Sequence, residues 1–153
     1  MTNVGTTLVE VKKALRDLLQ ARPGLANVQV SYAEPSAYNL ENSAIWFTVA
    51  EALHHETSMR NGGAFPIQED YHLQINVQAF TLEAPDGQEI ADTRAVELLH
   101  EVEQCVSENP QVTPNVMMLQ LAGWQHHVVV AEAEGSGYIS RFEVQLRVRA
   151  RLN

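Results

Sequence analysis

Hydrophobic and polar residues alternate along the end of the chain almost without error. In YISRFEVQLRVRARLN, Phe142, Val144, Leu146, Val148 and Ala150 fall on one side, and Arg141, Glu143, Gln145, Arg147, Arg149 and Arg151 on the other. A period of two is that of a strand with one buried and one wet face. DYHLQINVQAF repeats it, with Tyr71, Leu73, Ile75, Val77 and Ala79 set against His72, Gln74, Asn76 and Gln78, as in an antiparallel sheet. AIWFTVAEAL predicts a strand with Ile45, Phe47 and Val49 on one face, and NVQVSYA a short one with Val28, Val30 and Tyr32 in phase. VMMLQLAGWQHHVVVAEA predicts a longer strand bent at Gly123.

Two stretches switch to the helical period. Leu8, Val11, Leu15, Leu18 and Leu19 recur on one face, which predicts a helix over about 7–21. Thr7 and Glu10 have capping-box spacing at its start, and Arg22-Pro23-Gly24 ends it. Pro85-Asp86-Gly87 announces the second helix, with Asp86 and Glu89 again at capping-box spacing and Asn109-Pro110 as the stop. Its stripe is Ala91, Ala95, Leu98, Leu99, Val102 and Val106. HHETSMRNGGAFPIQ has no period and holds Asn61-Gly62-Gly63, so it reads as a long hairpin tip near 54–66. The order α-β-β-β-α-β-β predicts an α+β domain spanning 1–153, a mostly antiparallel sheet with two helices packed on one face.

Composition narrows the function classes. A chain of 153 residues, 45% hydrophobic and 19% charged, can build one core without disulfides or metals. The single cysteine, Cys105, cannot form an intramolecular disulfide and suits a reducing compartment. MTNVGTTLVEVKKAL does not have the charge and apolar pattern of a signal peptide, and no apolar run nears the ~20 residues of a membrane helix. Synthesis in the cytoplasm and no membrane partner are therefore expected. A formal charge of −9 and a pI near 5.0 disfavour sequence-specific or bulk nucleic-acid binding. Yet four arginines fall in the final strand, a basic edge on an acidic body.

Candidate chemistry is sparse. His54-His55 and His126-His127 are adjacent pairs, which on a strand point to opposite faces and cannot chelate one ion. They read as polar-face or loop residues, although one member of each pair could meet across the sheet. Cys105 sits beside the helix stripe among Glu101, Glu103 and Glu108, which disfavours a thiolate. Ser136 lies between glycines in a turn and lacks the spacing of a nucleophile elbow. No phosphate-binding glycine motif occurs. The expectation is no catalytic residue, no metal and no cofactor. Two features invite a partner. The Glu51–Glu69 segment is long for a turn and carries Met59, Arg60 and Phe65, types enriched at interfaces. Arg141, Arg147, Arg149 and Arg151 would guard a sheet edge, face water, or pair with carboxylates of a neighbouring subunit.

The layout resembles the tail terminator, or tail completion, proteins of long-tailed bacteriophages. The residues that carry the resemblance are the helix ending RPGL, the extended VQVSYAEP, the paired strands around a long hairpin tip, DYHLQINVQAF leading into DGQEIADTRAVELLHEVEQCV, and the closing WQHHVVVAEAEGSGYISRFEVQLRVRARLN. The resemblance runs from about residue 7 to the end, and its motifs are diffuse. It implies a structural virion protein without enzymatic activity. Such a protein forms a hexameric ring at the head-proximal end of the tail tube, stops tube growth and offers a head-joining surface. Tube protein, sheath and neck proteins would be its neighbours, and DNA would pass through the ring. A head–tail connector, neck or baseplate component has a similar layout. A small ferredoxin-like enzyme or ligand-binding domain is the alternative of another class.

Overall fold

The computed structural model describes residues 5–57, 67–83, 85–129 and 137–152. Helix α1 runs Leu8–Gln20 and α2 runs Gly87–Glu108. The strands are β1 (Gln29–Ser31), β2 (Ser43–Thr57), β3 (Ile67–Thr81), β4 (Val116–Val129) and β5 (Tyr138–Leu152). They form one sheet in the order β1-β2-β3-β5-β4, with β1 parallel to β2 and every other pair antiparallel. The expected α+β class and element order are both present.

The alternating residues drive this arrangement. On β3 and β5, Leu73, Ile75, Val77, Val144, Leu146 and Val148 all point into one core, where α2 lies across both strands. The whole expected α2 stripe is buried, with Cys105 beside it. Burying Leu98, Leu99, Val102 and Val106 is worth about 6–12 kcal/mol gross, an upper bound because the denatured chain is itself compact. Helix α1 presents Val11, Leu15 and Leu19 to the same core and packs beside α2 and β1. Arg22 ties the end of α1 to α2 through Glu101 at 2.8 Å and Glu108 at 2.9 Å. Lys12 is also buried, its ammonium 3.9 Å from the centroid of the Tyr32 ring, and burial lowers its pKa.

Several expectations need correction. Neither capping box forms. Thr7 turns away from Glu10 and spends its backbone N–H and its hydroxyl on the buried Glu69 carboxylate of β3, at 2.7 and 2.6 Å. Asp86 takes a left-handed backbone conformation, φ 59°, without a side-chain cap. Val49 is exposed, because the β2–β3 register shifts between Phe47 and Ala50 and breaks the alternation. The hairpin arms reach to Thr57 and from Ile67, so residues 54–57 of the expected tip are strand, and 58–66 lie outside the described residues. β4 does shift register between Leu121 and Gly123, where the bend was expected.

The largest correction concerns β5. The last strand is not an edge; it lies between β3 and β4. Its arginines therefore do not guard an edge. They form a ridge on the sheet face opposite the helices.

Candidate assembly surface

On that outer face the register brings Arg141 beside Gln78, Arg147 beside His72, Arg149 beside Asp70 and Arg151 beside Gln68. The four arginines then part company. Arg141 directs Nε and Nη2 at Oε1 of the buried Gln78, at 2.9 and 2.7 Å, and its guanidinium lies 5.7 Å from the Trp46 ring centroid. Trp46 is buried although it faces away from the helices, and its indole nitrogen has no hydrogen-bond partner among the described residues.

Arg147 reaches diagonally to Asp70, with Nε 3.0 Å from Oδ1 and Nη2 2.6 Å from Oδ2. The Arg147 hydrogen bonds hold the Asp70 carboxyl below its usual range; burial pushes the other way, and the charges of Arg147 and Arg149 add to the lowering. Arg149 and Arg151 are exposed, and their guanidinium groups form no ion pair or hydrogen bond with any described residue. Arg149 lies next to the exposed Met118 of β4. Of the expected interface residues, then, two arginines are held within the chain and two are open. Met59, Arg60 and Phe65 lie outside the described residues, as does Ser136.

The opposite side of the molecule is acidic. Helix α2 turns Glu89 and Glu97 outward, exposed, around the exposed Val96, and carries Glu108, exposed but bound by Arg22, at its far end. Glu97 is 3.0 Å from Arg94, and Glu89 has no side-chain partner among the described residues. A basic face and an acidic face on opposite sides suit a head-to-tail interface, in which one surface of a subunit meets a different surface of the next.

The other candidate chemistry resolves into packing. Strands β2 and β4 are separated by β3 and β5, so the two histidine pairs cannot meet across the sheet. His127 faces Glu143 at 3.3 Å on the outer side. His126 was expected on a polar face or loop, but it packs on Phe142 on the helix side, with ring centroids 4.7 Å apart. There its Nε2 lies 2.8 Å from Ser140 Oγ and 3.4 Å from Asp92 Oδ1. Sequence spacing missed this serine, histidine and carboxylate, because only the β4–β5 register and α2 packing bring them together.

They are not arranged as a hydrolytic triad. A triad needs the serine and the carboxylate on different ring nitrogens, and here both lie nearest Nε2, with Ser140 fully buried. Burial pushes the Asp92 carboxyl up, but hydrogen bonds from Ser140 and Gln88 and the neighbouring His126 outweigh it, so its pKa is lowered. Cys105 is buried, and burial raises its pKa. Among the described residues no group of three or more His, Cys, Asp or Glu could hold a metal, and no helix is long and apolar enough to cross a membrane.

The fold recurs in a virus-like particle. A chain in the solved structure described as the virion of native gene transfer agent (GTA) particle superposes with a TM-score of 0.57. The alignment covers 92% of this chain and 93% of that one, at 13% sequence identity. At that identity the likeness is one of fold, and it extends over nearly the whole of both chains. No protein-family model and no curated protein matches the sequence.

Proposed function

We propose that this protein is a structural component of a phage-like virion: a ring, six-membered by the family resemblance, that caps the head-proximal end of the tail tube. There it stops tube growth and presents the surface to which the head is joined. The observation that carries the reading is the shared fold with a chain of a virion particle over nearly the full length of both proteins. The open arginines Arg149 and Arg151 on one face and the outward carboxylates of α2 on the other leave surfaces of opposite charge for contacts with neighbouring virion proteins. In this reading the protein acts by occupying a position, with no reaction, metal or cofactor. Its neighbours are further copies of itself, the tube protein and the neck proteins.

Removal of the gene from a tailed particle tests this. The expected outcome is tubes of irregular, excessive length without attached heads, restored by the wild-type protein in trans. Tails of normal length joined to heads would contradict it.

A further inference from the structure

The sheet ends on two open edges, and they differ. The β4 segment VMMLQLAGWQHHVV contains no Asp, Glu, Lys, Arg or Pro. It nevertheless exposes Trp124 by 53% and Val128 by 48%, along with Met117 and Met118. Folded proteins protect long edges with charge, proline or covering segments, because an unpaired strand recruits another. The only cover near β4 among the described residues is local: the Leu119 N–H donates to the Pro110 carbonyl at 2.8 Å. Among the described residues, no strand other than β5 pairs with β4 from Gln120 to Val129.

On the far side of the sheet, β1 pairs with β2 only at Ala44–Trp46. Beyond it β2 continues to Thr57 without a strand partner on that side among the described residues, exposing Val49 by 66% and Leu53 by 47%.

These edges fit each other. β2 and β4 run in opposite directions, since β2, β3, β5 and β4 alternate. A second copy in the same orientation would lay its β2 beside β4 as an antiparallel pair, continuing the pattern of the sheet. The covered ends also match. β1 closes β2 at the level of Trp46, which the register carries through Asn76 and Glu143 to Gln125 of β4. Pro110 closes β4 at Leu119, whose level runs through Val148 and Tyr71 to Ala52 of β2. The open part of β4 is therefore displaced along the sheet relative to the open part of β2. A sheet that closes on itself needs such a stagger between its ends.

We infer that β4 residues 120–129 of one copy pair with β2 residues 47–57 of the next, so that the sheets join edge to edge around a ring. This rests on the ring reading above and names the surfaces that close it. Backbone hydrogen bonds supply the joint, and Trp124, Val128, Val49 and Leu53 become buried at it.

Two variants test the inference, each placing a charge at an exposed edge position: Val128→Lys on β4, and Val49→Lys with Leu53→Lys on β2. Each purified variant should keep the melting temperature of the wild-type subunit and lose ring formation in native mass spectrometry. Mixed in equal amounts, they should form a heterodimer and nothing larger, because one intact β2 edge meets one intact β4 edge. Hydrogen exchange on the wild-type protein gives a reading independent of variant folding. Amides of 47–57 and 120–129 should exchange at least tenfold more slowly in the ring than in the free subunit.

Rings from both variants, or unchanged exchange in both segments, would overturn the inference while leaving the ring itself intact. Loss of assembly in the β4 variant alone would assign that edge to a strand from a different protein or to a second β4, and would also overturn it. A wild-type protein that forms no ring, alone or on tube ends, would instead remove the proposed function.

Discussion

Arg147 and Asp70 are joined across β3 and β5 by two hydrogen bonds, Nε to Oδ1 at 3.0 Å and Nη2 to Oδ2 at 2.6 Å. The pair divides the arginine ridge into residues that serve the fold and residues left free. Arg147→Ala should lower the melting temperature of the isolated subunit, because it leaves the mostly buried Asp70 carboxylate without its fork. Arg149→Ala with Arg151→Ala should move the melting temperature far less, since exposed guanidinium groups that make no direct ion pair contribute little. The same double variant should bind tube ends more weakly, with the deficit against wild type shrinking as salt rises and screens the wild-type contacts. Thermal melts of both variants and tube-end binding at low and high salt check this together.

The same pair sets a pH dependence. The Asp70 carboxyl is held below its usual range in the folded protein, so its contribution to stability is present above the unfolded value of about 3.9 and is lost as pH falls through the folded value. Wild-type melting temperature should therefore decline below about pH 4, and Asp70→Asn should lack that part of the decline. Parallel titrations of the two proteins give the difference.

Thr7 and Glu69 make a second buried contact, between the start of α1 and β3. Thr7→Val keeps the shape of the side chain but removes the hydroxyl that donates to Glu69 and lies 3.0 Å from the Tyr71 hydroxyl. A cost of about 1–3 kcal/mol is expected, measurable by denaturant unfolding.

The buried Ser140 and the more exposed His126 and Asp92 beside it should behave as packing. Ser140→Ala and His126→Gln should leave assembly within about twofold of wild type, and an active-serine probe should not label Ser140, because its hydroxyl is buried and the ring nitrogen nearest it also faces the carboxylate. Labelling of Ser140 in the folded protein would reopen an enzymatic reading.

The fold was legible wherever one period ran unbroken. The buried faces of β3 and β5 and the stripe of α2 follow directly from alternation and from the 3.6-residue repeat, because one face of each had to leave water. Val49 was misread because a bulge after Phe47 changes which side the next residues take, and nothing in AIWFTVAEAL marks it. Thr7 was misread because a nearby glutamate offers a local cap, while the actual partner, Glu69, is reached only through the tertiary fold. The interior place of β5 follows from long-range pairing with β3 and β4, which a pattern within one strand does not encode. So too for the arginines: their shared face was evident, but the engagement of Arg147 by Asp70 and Arg141 by Gln78 depends on the β3–β5 register.

The state of assembly tests the proposed role most directly. Native mass spectrometry of the purified protein, with electron microscopy of tail tubes to which it has been added, should show a closed ring of six copies, seated on one end of each tube. A protein that remains monomeric at every concentration and leaves both tube ends bare would contradict it.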